Sequence, residues 1–145
     1  MKNKITTSIE QSKKLLELEI DLNTADMFYE KMDDEESDYY KLCFGKISKA
    51  LMDDFGYIPA WSLSTLMELL PSELELPDMY GGTIKYEIRI RKYSHTNELD
   101  LYQIAYATNQ GLSKSWHDMV NTSEQEDLLD VVFEMIVYLK ENKLI

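Results

Sequence analysis

From Thr83 to Tyr93 the chain reads TIKYEIRIRKY, with Ile84, Tyr86, Ile88 and Ile90 alternating strictly against Lys85, Glu87, Arg89 and Arg91. A period of two marks a β-strand, because successive side chains leave a pleated backbone on opposite faces. A second run, DLYQIAYAT over residues 100–108, alternates Tyr102, Ile104 and Tyr106 against Leu101, Gln103 and Ala105, and SHTNEL separates the two. The pair predicts an antiparallel hairpin in which the apolar sets share a face, with Tyr102 near Ile90 and Ile104 near Ile88. Two strands alone are marginal in water, so something must cover the apolar side. LSKSWHDMV, carrying Trp116, is available as a third strand.

The cover comes from the C-terminal DLLDVVFEMIVYLKEN. Asp127, Asp130, Glu134 and Glu141 fall on one stripe of a 3.6-residue period, and Leu128, Leu129, Val132, Phe133, Met135, Ile136 and Leu139 spread over a wide apolar arc that needs burial. Ser123 and Glu126 have capping-box spacing before it. A first helix, ending near Ile20, is predicted from the capping pair Thr7 and Glu10 and the face formed by Ile9, Ser12, Leu15, Leu16 and Leu18. DLNTADMFYE then reads as a turn-rich connection, in which Asp21, Asn23 and Asp26 can bond nearby backbone. Tyr40 to Phe44 has the composition of a short strand, and Ser48 to Phe55 has helical spacing. In IPAWSLSTLMELLPSEL, Ser62 suits an N-cap and Trp61 a hydrophobic staple reaching Leu66, while Pro71 stops the helix. That makes Trp61 a packing residue, with ligand stacking as the other reading.

The chain is long enough for one core, and its 44% hydrophobic and 29% charged residues suit a folded domain. The expectation is a single α+β domain over residues 1–145: a small antiparallel sheet, a hairpin or three strands, packed by three or four helices. Trp61, Leu66, Met67, Phe133 and Ile136 should share its core with the sheet face bearing Ile88 and Ile90.

With 27 acidic against 15 basic side chains the net charge is −12, which disfavours direct binding to nucleic acid. The N-terminus lacks the apolar run of a signal peptide, and MIVYL is too short to span a bilayer, so a cytoplasmic protein without a membrane partner is expected. Cys43 has no second thiol, and with only His95 and His117 beside it no metal site is predicted. Cys43 reads as a small hydrophobe rather than a nucleophile. His117, between Trp116 and Asp118, is the candidate acid or base, against a plain strand histidine. No nucleotide-loop, nucleophile-elbow or zinc-protease spacing occurs, so no catalytic residue and no cofactor are assigned.

Two surfaces carry chemistry. The chain's two arginines, Arg89 and Arg91, lie two apart on one strand face with Lys85. Such a row can present guanidinium forks to a phosphate or carboxylate, unless Glu87 or the acidic loop from Glu30 to Asp38 neutralises it. The second surface is EKMDDEESD, where six of the nine residues from Glu30 to Asp38 are acidic. It reads as a solvated loop, with Asp33, Asp34, Glu35 and Glu36 as an interaction surface for a basic partner protein.

Three stretches, TTSIEQSKKLLELEIDLNTADMFY, IPAWSLSTLMELLPSEL and LLDVVFEMIVYLKENKLI, resemble small uncharacterised proteins carried by phages and mobile elements of gut anaerobic bacteria. The resemblance implies an element-borne protein and carries over no activity, cofactor or site residue. Members of that family usually have a glycine and then a proline where this chain has Glu19 and Leu22, which removes a natural helix C-cap here. The function expected is therefore a non-enzymatic acidic interaction protein, a modulator of host or defence machinery. The alternative is an anion- or nucleotide-binding protein or enzyme using the Arg89/Arg91 face.

Overall fold

The computed structural model describes residues 4–32, 39–94, 100–110 and 116–145. Along the chain run α1 (Ile9–Glu17), a 3-10 turn (Leu22–Thr24), β1 (Met27–Lys31), β2 (Tyr40–Phe44), α2 (Lys49–Phe55), β3 (Ile58–Ala60), α3 (Leu63–Leu69), β4 (Glu73–Pro77), β5 (Thr83–Ser94), β6 (Asp100–Thr108), β7 (His117–Asn121) and α4 (Leu128–Glu141). The class is α+β, with two antiparallel sheets where one was expected: β2-β1-β3 and β4-β5-β6-β7. The chain divides into two compact units, Met1–Glu68 and Leu69–Ile145.

In the first unit α1 is capped one residue later than its sequence suggests. Ser8 and Gln11 form the capping box, Ser8 Oγ accepting from the Gln11 N–H at 3.1 Å and Gln11 Oε1 from the Ser8 N–H at 3.0 Å. Thr7 is not free for that task. Its hydroxyl accepts the Trp61 N–H at 3.1 Å and shares a hydrogen bond with Ser12 Oγ at 2.8 Å.

The helix closes on a Schellman motif, Ile20 N–H to the Leu15 carbonyl and Glu19 N–H to the Leu16 carbonyl, both at 3.0 Å. Glu19 takes the left-handed position, at φ 61°, where glycine is the usual residue. Asp21 caps the following turn by accepting from Asn23 N–H. The expected connection ends there, because Met27–Lys31 is a strand rather than loop. Asp26 works over a distance: its carboxylate accepts from the Ser62 N–H and hydroxyl at 2.9 and 2.6 Å and from the Thr65 hydroxyl at 3.0 Å. Burial opposes ionisation of that carboxyl, and the hydrogen bonds outweigh it, leaving Asp26 below the ordinary carboxylate range.

Trp61 and Leu66 are fully buried, and Met67 is half-buried. The Trp61 indole N–H donates to Thr24 Oγ1 at 2.9 Å. Every polar handle of this tryptophan is thus taken up by protein, as a packing residue requires. Ser48 caps α2 and Gly56, at φ 70°, ends it.

The second unit is built on the hairpin. β5 and β6 form as the alternation predicts, but their register differs by two residues: Ile90 faces Ile104, Ile88 faces Tyr106 and Lys92 faces Tyr102. Pairing continues to Ser94 opposite Asp100, where Ser94 Oγ donates to Asp100 at 3.1 Å and Lys92 pairs with the same carboxylate. Those polar cross-strand contacts fix the register, whereas the apolar alternation leaves shifts of two equivalent. β4, unforeseen, pairs with β5 through Leu74–Tyr86 and Leu76–Ile84. β7 falls on the stretch read as a third strand but starts at His117, leaving Trp116 just outside it, and pairs with β6 across a bulge.

α4 packs on β6 and buries Leu129, Val131, Val132, Met135, Ile136 and Leu139. Phe133, expected in the core, is only half-buried, and Ile90 is 46% exposed. The α4 cap is Asp127, whose carboxylate accepts from Leu129 N–H at 2.9 Å. Ser123, the expected cap, binds Glu134 instead, through its N–H at 3.1 Å and its hydroxyl at 2.8 Å. A second Schellman motif closes α4, with Leu144 N–H on the Leu139 carbonyl at 2.8 Å and Lys143 at φ 55°.

Candidate functional site

Alternation along β5 puts Lys85, Glu87, Arg89, Arg91 and Tyr93 on one face of the four-stranded sheet. The registers add Glu73 and Glu75 from β4, Gln103, Ala105 and Ala107 from β6, and Asp118 and Asn121 from β7. This face holds the arginine row singled out from the sequence, and each of its cations stands beside a carboxylate. Lys85 lies 3.5 Å from Glu75, and Arg89 3.0 Å from Glu87. Arg91 makes a fork with Asp118, Nη1 to Oδ2 at 2.8 Å and Nη2 to Oδ1 at 2.7 Å.

The pairs are not equal in strength. The Lys85 and Arg89 pairs are largely solvated, a setting in which ion pairs contribute little. The Arg91–Asp118 pair is more enclosed and bidentate, and it is supported on both sides. Gln103 Oε1 accepts from Arg91 Nη1 at 3.2 Å and from the Tyr93 hydroxyl at 3.3 Å, and Asn121 donates to Asp118 at 3.0 Å. The Arg91 hydrogen bonds hold the Asp118 carboxyl down to about 2 against the opposing effect of burial, with a smaller contribution from Asn121. Arg91 is raised in turn, first by its hydrogen bond to Asp118. Arg89 also lies over Trp116, its guanidinium carbon 4.1 Å from the ring centroid, so its charge is shared between a carboxylate and a π-face.

His117, the candidate acid or base, is exposed and faces Thr108, on the side of β7 away from Asp118. Adjacent strand residues point to opposite faces, so WHD does not form a histidine–aspartate dyad. Cys43 lies half-buried in β2, its sulfur 3.6 Å from Glu30 Oε2. Desolvation, then the Glu30 carboxylate, raise its thiol above the ordinary value, which works against a thiolate nucleophile. Glu30 itself is a strand residue whose carboxylate also accepts from the Tyr57 hydroxyl at 3.2 Å, so the expected acidic loop begins later than Glu30. Asp33, Asp34, Glu35 and Glu36, and also His95, lie outside the described residues.

A cavity of about 230 Å³ opens between β7 and α4, lined by Val120, Thr122, Glu134, Met135, Tyr138 and Glu141 among others. Glu134 is held there by Ser123 and by Gln125 Nε2 at 2.7 Å, so its carboxylate is engaged with neighbouring protein donors. Among the described residues no group of three or more His, Cys, Asp or Glu side chains is placed to hold a metal ion. Among them, too, no helix is long and apolar enough to cross a membrane.

The partners of the arginines were only half legible. Glu87 was foreseen from its place two residues from Arg89. Asp118 and Trp116 were visible as residue types, but what brings them to the arginine face is the β6–β7 bulge, which no local pattern announces. No protein-family model, curated protein or solved structure matches the chain.

Proposed function

We propose that this chain is a non-enzymatic acidic interaction protein, cytoplasmic and borne by a phage or mobile element, that binds a basic partner protein and thereby modulates host or defence machinery. One observation carries the choice over the anion-binding alternative. Lys85, Arg89 and Arg91, the cations expected to receive a phosphate or carboxylate, each stand beside a carboxylate of the chain itself. An incoming anion would have to break the Arg91–Asp118 fork and leave Asp118 without its counter-charge. The excess of acid over base, −12 overall, instead favours encounter with a basic surface. The resemblance to element-borne proteins supplies the biological setting.

The test compares the full chain with a variant neutralised at Asp33→Asn, Asp34→Asn, Glu35→Gln and Glu36→Gln, each immobilised in bacterial lysate at low and high salt. The expected result is capture of a defined basic protein by the parent, weakened in the variant and at high salt, since the charges are screened over about 8–10 Å. Capture of no protein, together with a nucleotide or metabolite that co-purifies with the parent and not with Arg89→Ala, would move the function to the anion-binding reading.

A further inference from the structure

Every open sheet has two edges, and exposed edges are liabilities that folded proteins block with proline, charge, bulges or covering segments. Among the described residues, three of the four sheet edges are blocked. On β3 all three residues face β1, but the bonds of Asp26 and Met32 to the β2 side turn the Phe28 backbone toward β2, so Tyr29–Ile58 and Met27–Ala60 are the bonded pairs and the backbone of residues 59 and 61 points outward. Residue 59 is proline and has no N–H to offer, and both backbone groups of Trp61 are bound by Thr7. On β4, the bonds Asp78 N–H to Gly82 and Ile88 N–H to Ser72 set the phase and leave Glu73, Glu75 and Pro77 outward, two acids and another proline. On β7, the bulge between its two paired segments breaks the row.

β2 differs. Met32 N–H bonds the Tyr39 carbonyl and Gly45 N–H the Asp26 carbonyl. With the alternation of an antiparallel ladder, Lys41 and Cys43 turn their backbone groups toward β1, and Tyr40, Leu42 and Phe44 turn theirs outward. Among the described residues no strand pairs along that side. Phe44 is 84% exposed, the outward row contains no proline, and Lys41 is the strand's one charged residue in a chain of net charge −12.

We propose that β2 pairs with β2 of a second copy of this chain, antiparallel about a two-fold axis at Leu42. The occupant follows from the row's self-complementarity. In that register Leu42 meets Leu42 of the partner copy, and Tyr40 meets Phe44 twice, an aromatic pair on one sheet face. Cys43 meets Lys41, so no carboxylate meets another within the strand. The paired edge is small, which makes a weak, concentration-dependent dimer. Because the two copies repel, it tightens with added salt.

Sedimentation equilibrium of the full chain from about 10 μM to 1 mM, a range suited to weak association, should show a monomer–dimer equilibrium that shifts to dimer as salt rises. Phe44→Lys removes the exposed ring and lowers the net negative charge, so added repulsion cannot explain a loss. It should weaken the dimer by about tenfold or more in Kd while leaving the circular dichroism unchanged. Register is read by crosslinking. Residues facing each other at a bonded pair stand about 5.5 Å apart, within disulfide reach, so L42C in a C43S background should oxidise to a covalent dimer, and the native chain, whose Cys43 faces Lys41, should not. A monomer throughout, a dimer indifferent to Phe44→Lys, or oxidation through Cys43 rather than residue 42 would overturn the proposal.

Discussion

Thr7 grips Trp61 at both ends of its backbone, its N–H donating to the Trp61 carbonyl at 2.9 Å and its hydroxyl accepting the Trp61 N–H at 3.1 Å. Thr6 adds a hydroxyl to the same carbonyl at 3.0 Å. The two threonines are therefore not equivalent. Thr7→Val keeps the volume but strands a buried N–H, a loss of about 1–3 kcal/mol. Thr6→Val leaves the carbonyl with the Thr7 N–H, and should cost about 0.5–1 kcal/mol. Urea denaturation of both variants, followed by tryptophan fluorescence, checks the order. Equal costs would mean that the Trp61 N–H is not held as described.

Glu19 and Lys143 occupy left-handed positions in Schellman motifs where a Cβ is disfavoured. Glu19→Gly and Lys143→Gly should each stabilise the chain by about 0.5–1 kcal/mol, the relief at φ near 60° exceeding the entropy that glycine adds to the unfolded chain. Thermal or chemical unfolding of the single variants measures this directly. Glu19→Ala, which keeps the Cβ, should show no such gain.

The Arg91–Asp118 fork makes an acid-sensitive contribution. A carboxyl held to about 2 in the folded chain and near 3.9 in the unfolded one binds fewer protons when folded, so its contribution is full above about pH 4 and lost as pH falls toward 2. Asp118→Asn should cost about 1–2 kcal/mol at neutral pH. The gap between parent and variant should close between about pH 4 and 2. Stability measured across that interval by chemical denaturation checks both the size and the window. A gap that stays constant through acid would show that the fork contributes nothing through its charge.

Ile136 and Phe133 are neighbouring residues of α4 with different burial, Ile136 fully covered and Phe133 half-covered. Ile136→Ala should cost about 2–5 kcal/mol, as truncations inside a core do. Phe133→Ala should fall short of the roughly 3–5 kcal/mol typical of a buried phenylalanine. Denaturant midpoints at unchanged slope decide it, and a Phe133→Ala cost exceeding that of Ile136→Ala would reverse the assignment.

What could be read before the structure follows from the range of the interactions involved. The β5–β6 hairpin, α4, the helical spacing of α2 and the packing role of Trp61 rest on period and local sequence, which neighbouring residues encode. β1 and β3 did not, because MFYEK and IPA are too short to show a period, and their pairing joins residues far apart in sequence. β4 carries its signal in the alternation of ELEL, a stretch of only four residues between two prolines. Each misplaced cap failed for a tertiary reason: Thr7 is taken by Trp61, and Ser123 by Glu134. The arginine row was visible, but its neutralisation by Asp118 depends on a third strand's phase.

That phase rests on one residue. Across the β6–β7 bulge, Val120 faces Tyr106 and Asp118 faces Ala107, with Met119 as the extra residue between them. Were Met119 drawn into the ladder opposite Ala107, the upstream half of β7 would slide by one, and every side chain there would change sides. His117 would then look toward the arginines and Asp118 toward Thr108. The bulge thus acts as a polarity switch written into the backbone, deciding whether the arginine face meets a carboxylate or an imidazole. Deletion of Met119, by contrast, would leave Asp118 opposite Ala107 in an unbroken ladder, with the carboxylate still on the arginine face.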